Sequence, residues 1–73
     1  EFMLPDAGHA ELTVYNAAGQ KVRSLVSVMM PPGIHTVEWD GRDELGSPVS
    51  SGVYFSRLRM GGRSVSRRMT LVK

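Results

Sequence analysis

Seventy-three residues, 41% apolar and 22% charged, suffice for one folded domain, and a chain this short buries only about 60% of its unfolded surface. The absence of cysteine excludes disulfides, zinc knuckles, iron–sulfur sites and thiol nucleophiles, no apolar run reaches the ~20 residues of a membrane helix, and the size argues against an independent enzyme. The net charge of +2 is uneven: residues 1–51 carry −4 and residues 52–73 carry +6.

In chain order, Phe2–Leu4 is a short apolar start stopped by the turn composition Pro5-Asp6-Ala7-Gly8. His9–Tyr15 alternates, with Ala10, Leu12 and Val14 on one face and Glu11, Thr13 and Tyr15 on the other, which predicts a half-buried strand. Asn16-Ala17-Ala18-Gly19 predicts a tight turn, and Gln20–Val26 its returning partner. Val22 and Leu25 are both apolar but differ in parity, so a bulge is expected between them. Adjacent prolines in Val28–Gly33 remove two ladder donors, and that segment is expected to be a crossover loop with methionines over one end of the core. Ile34–Asp40 predicts the next strand, with His35, Val37 and Trp39 on one side, and Gly41–Gly52 is turn-forming throughout. Val53–Met60 and Arg63–Val72 predict a closing hairpin through Gly61-Gly62.

Six to seven short strands with turns every eight to twelve residues, and no stretch long enough for a crossover helix, predict an all-β fold: one small antiparallel β-sandwich over residues 1–73. Leu12, Val14, Val22, Val37, Trp39, Tyr54 and Leu58 are the expected core, each on the apolar side of an alternating run. By parity, Arg57, Arg59, Arg63 and Arg67 are expected to form one outward basic strip on the hairpin, leaving Met69 and Leu71 to reach the core past a further bulge.

Residues with chemical potential have simpler structural roles. Asp40, Asp43 and Glu44 set three carboxylates in five residues beside Gly41, a partial calcium ligand set. The spacing misses the twelve-residue calcium loop, and Arg42 puts a cation among the acids, so turn formation is the preferred reading. His9 and His35 fall short of the three or four ligands that zinc takes. His35 is expected to be a hydrogen-bonded boundary histidine. No hydroxyl–His–carboxylate arrangement is visible, and no cofactor is expected. Trp39, Tyr15, Tyr54 and Phe55 are candidates for a sugar-stacking platform, but the alternation of Trp39 with Val37 and His35 favours a core role. The basic end lacks any nucleic-acid motif and the interleaved aromatics that single strands stack on.

A longer pattern is also present. Phe2-x-Leu4-Pro5 leads into Leu12-x-Val14-Tyr15-Asn16-x-x-Gly19-x-x-Val22-x-x-Leu25. Then come Gly33-x-His35-x-Val37-x-Trp39-Asp40-Gly41-Arg42-Asp43-x-x-Gly46-x-x-Val49-x-x-Gly52-Val53-Tyr54-Phe55 and the ending Arg68-Met69-x-Leu71-Val72-Lys73. Over essentially the whole chain this resembles the immunoglobulin-like domain of flagellar hook-capping proteins, and it is also similar to the C-terminal sorting domains of type IX secretion cargo.

The resemblance implies a non-enzymatic, immunoglobulin-like C-terminal module of a larger exported bacterial protein, ending naturally at Lys73 and acting at the outer membrane, cell surface or outside the cell. Its implied role is sorting or docking, with a secretion translocon or the upstream domain of the same precursor as partner. By family position, Gly52, Tyr54, Arg67, Arg68 and Lys73 are its implied determinants. The basic strip adds an anionic cell-surface glycan as a candidate partner. The alternatives are a carbohydrate-binding module of a glycoside hydrolase, and a structural spacer or hook-cap-like scaffold.

Overall fold

The computed structural model describes residues 2–72, and Lys73 therefore lies outside the described residues. It is an all-β antiparallel sandwich, 35 × 20 × 17 Å, with six strands among the described residues. The smaller sheet pairs β1 (Phe2–Leu4) with β4 (Gly33–His35), and Leu4 at its end is fully buried. The larger sheet holds β2 (Gly8–Asn16), β3 (Lys21–Met30), β5 (Gly52–Met60) and β6 (Arg63–Leu71), in the spatial order β3-β2-β5-β6.

β2 is central because its alternation supplies the core: Ala10, Leu12 and Val14 are all buried on the face toward the smaller sheet. Its hairpin to β3 turns on Asn16, whose carboxamide oxygen accepts from the Ala18 and Gln20 amides at 3.0 and 2.9 Å. Such a side chain closes the turn without help from the rest of the fold. The expected bulge is present and is double: along the ladder Leu12 faces Val26, Thr13 faces Ser24, Val14 faces Arg23 and Tyr15 faces Lys21. The two unopposed residues are Leu25 and Val22, the apolar pair whose parity disagreed. A bulge re-aims side chains while sparing the rest of the ladder, and Leu25 lines the space between the sheets.

Three expectations about the elements are corrected. Val28–Met30 is not loop but the end of β3, which occupies a sheet edge, and the chain leaves the ladder only at Pro31-Pro32. Prolines stop a strand where they stand and leave preceding residues free to pair. Among the described residues the strand expected over Ile34–Asp40 is paired only through Gly33–His35, opposite Phe2–Leu4; Thr36–Asp40 continues outside the named strands. The basic strip does not form. Gly61-Gly62 makes a two-residue turn that sets Met60 opposite Arg63, so every odd residue of β5 faces an even residue of β6. Arg57 and Arg59 therefore lie opposite Ser66 and Ser64, while Arg63 and Arg67 lie opposite Met60 and Ser56 on the inner face. Val65, Met69 and Leu71 share that inner face, so no further bulge is required. Gly61 takes φ +59° while Gly62 stays out of the positive range, the sign pattern of a type II′ hairpin turn.

The core is small. Leu4, Ala10, Leu12, Val14 and Tyr54 are the buried apolar residues, whereas Val22, Val37, Trp39 and Leu58, expected inside, are half-buried. The reason is a mismatch in width: a two-stranded sheet covers a four-stranded one, so part of the inner face has nothing opposite it.

Candidate functional site

The uncovered inner face forms an open cleft of about 390 Å³. Phe2 and Met3 of β1 form one wall and Leu58, Val65, Arg67 and Met69 of β5 and β6 the other. Leu12, Leu25, Ser56 and Arg68 line it as well, as do Val37 and Trp39 from the unpaired stretch after β4.

Trp39 is held in place at both ends. Its indole N–H donates to the Arg42 carbonyl at 2.9 Å, and its ring meets Tyr54 edge-on at 5.1 Å between centroids. Tyr54, third residue of β5, donates its hydroxyl to the Ser50 carbonyl at 2.6 Å. A buried tyrosine bonded back to the backbone just upstream of its own strand is the tyrosine-corner arrangement of immunoglobulin-like sandwiches.

The acidic loop is a folded turn. Asp43 accepts from the Leu45 and Ser47 amides at 3.0 Å each, and Asp40 accepts from the Arg42 amide at 3.1 Å and from the Arg23 guanidinium at 3.0 Å. Glu44 reaches across to β3: its amide donates to the Val22 carbonyl at 3.2 Å and its carboxylate accepts from the Ser24 amide. The three carboxylates thus point at separate backbone and guanidinium donors. Among the described residues no three His, Asp or Glu side chains gather into a metal-binding group. His9 is exposed at the far end of β2. The His35 Nε2–H donates to the Pro31 carbonyl at 2.8 Å, which fixes the ring proton because a carbonyl only accepts.

The candidate determinants are dispersed. Gly52 opens β5 at the surface, Tyr54 is buried, Arg67 is exposed at the cleft wall, and Arg68 is exposed opposite Phe55 on the outer face of the sheet. The four aromatics proposed as a sugar platform divide between two faces, Trp39 and Tyr54 inside and Tyr15 and Phe55, cross-strand partners, outside. The contact of Glu44 with β3 has no local signal, since it joins positions 20 residues apart.

The family model for the FlgD Ig-like domain matches residues 1–59. The chain belongs to the FlgD Ig-like domain family. Comparison with curated proteins and with solved structures gave no match. The FlgD Ig-like match takes in β1–β4 and nearly all of β5, including Trp39, Gly52 and Tyr54 with its corner bond. It ends at Arg59, short of the whole-chain resemblance expected. The strand β6, with Arg67 and Arg68, lies beyond it.

Proposed function

We propose that this FlgD Ig-like domain is a non-catalytic scaffold unit of the hook-cap kind, which holds a neighbouring polypeptide by surface contact and carries out no bond chemistry. The family match over residues 1–59 carries this reading. The division of the polar side chains supports it: the carboxylates of Asp40, Asp43 and Glu44 bond to the fold itself, while the cleft is walled mainly by apolar groups. We place its action outside the cytoplasm, at the cell surface, on the resemblance to exported modules.

The sorting role draws on Gly52, Tyr54, Arg67, Arg68 and Lys73. Tyr54 is engaged in the corner, and the two arginines lie beyond the family match, which favours the scaffold role over a type IX signal. Replacing the Ig-like domain of a hook-capping protein with residues 1–73 tests the proposal. The chimera should restore hook assembly where the domain deletion does not. Failure of a folded chimera to assemble hooks, together with export of a passenger fused to this domain in a type IX-competent host and loss of that export on deleting 67–73, would establish the sorting role instead.

A further inference from the structure

The two edges of the larger sheet are finished differently. At β3, the loop carrying Glu44 bonds to both Val22 and Ser24, covering the first half of the strand. At β6, no strand pairs with the outer edge among the described residues, and Arg63–Arg68 are all exposed. A strand edge left open presents a row of backbone donors and acceptors ready to receive another chain.

Charge selects what that chain is. The four strands of the sheet hold seven cations, Lys21, Arg23, Arg57, Arg59, Arg63, Arg67 and Arg68, and a single acid, Glu11, which faces Arg59. No acid follows Glu44 in the chain. Self-pairing through β6 sets this arginine cluster against its own copy, and like charges across a ladder repel. The uncovered part of β3, Leu25–Met30, carries no charge with which to answer the arginines of a second copy.

The apolar component is next to it. Val65 is 55% exposed and Met69 half-buried, both on the inner face at the mouth of the cleft, and Met3 across the opening is 67% exposed. A strand added to β6 would place one alternate set of residues on the inner face at the cleft mouth, beside Val65 and Met69 and the arginines that alternate with them, Arg63 and Arg67, and the other set on the outer face beside Arg68.

We propose that the outer edge of β6 is a docking site for an extended strand of alternating apolar and acidic residues from a partner polypeptide, which joins the larger sheet as a fifth strand and covers the cleft mouth. This rests on the scaffold reading for its biological sense, but its physical test is independent of that reading.

The probe is a capped alternating Glu–Val peptide as long as β6, titrated into the 73-residue chain. Hydrogen exchange should show new protection at alternate amides of Arg63–Leu71, and the emission of Trp39, in the same cleft, should shift. Arg67→Glu combined with Arg68→Glu, two exposed positions, should weaken binding about tenfold or more, with circular dichroism confirming the fold. A Lys–Val peptide and a Glu–Val peptide interrupted by proline should both fail to protect β6. The proposal is overturned if the Glu–Val peptide gives no protection at concentrations on the order of 1 mM. It is equally overturned if the proline-interrupted peptide binds as well, or if dextran sulfate competes while perturbing only the outer face around Phe55 and Arg57, which would mark an anionic-glycan surface. Self-association through β6 without peptide would overturn it in favour of a second copy. If hook assembly fails in the chimera while β6 captures the peptide, the scaffold reading falls and the docking edge stands; the reverse result separates them in the other direction.

Discussion

The indole of Trp39 meets the ring of Tyr54 edge-on, with the planes at 66° and the centroids 5.1 Å apart. Edge-to-face pairs of this kind contribute about 0.5–1.5 kcal/mol beyond area burial. Trp39 is half-buried, so Trp39→Ala should cost about 2–3 kcal/mol, below the range for a fully buried tryptophan. Tyr54→Phe keeps the ring contact and strands the Ser50 carbonyl, for a loss of about 1 kcal/mol. Urea denaturation of the two variants checks both values, and a Tyr54→Phe loss equal to that of Trp39→Ala would contradict the division.

Gly41 has φ +75°, and a Cβ there would lie 3.5 Å from a Leu71 methyl. The space suffices for ordinary contact, so the penalty is in the backbone. Gly41→Ala should destabilise by about 1–2 kcal/mol. Leu71→Ala in the same background should not recover that loss, because crowding is not its source; recovery in a double-mutant cycle would show the opposite.

Asp43 holds two backbone amides of its own turn. Asp43→Ala should cost about 1–2 kcal/mol, with Asp43→Asn retaining most of the stability because its amide oxygen still accepts. Chelator should leave the melting temperature unchanged. A drop on adding EDTA would identify a bound cation, since a ligand held only by the folded state stabilises it.

Glu44 covers the edge of β3 at Ser24. Glu44→Ala should lower stability by about 1 kcal/mol and also raise self-association, measured by light scattering against concentration, because an uncapped edge recruits further strands. Unchanged monomer content in the variant would place the barrier to association elsewhere.

Period-two alternation made β2 and β5 legible, because each turns one face inward and exposes the other; β6, exposed on both faces over Arg63–Arg68, was legible instead from the Gly61-Gly62 turn before it. The same pattern misled at His35-Val37-Trp39, where alternation records which side a residue faces and carries no information about a bonded neighbour. Among the described residues the ladder with Phe2–Leu4 runs from Gly33 to His35, while Val37 and Trp39 keep the alternation outside any named strand. The arginine strip failed for a counting reason: parity within one strand does not carry across a two-residue turn. Exposure of Arg67 and Arg68 was readable from their chemistry. The Glu44–Ser24 bond was not, since a contact between distant segments appears only when the loop is folded.

The double bulge in β3 also bears on how the chain tolerates change in length. Val22 and Leu25 are unopposed, so each is a residue the β2–β3 ladder does not count. Removing either one joins neighbours already in register, Val26 to Ser24 or Arg23 to Lys21, and leaves the pairing of every other residue of β2 as it was. Most single-residue deletions in a strand turn all subsequent side chains to the wrong face. Here two positions can each absorb one without shifting the β2–β3 register.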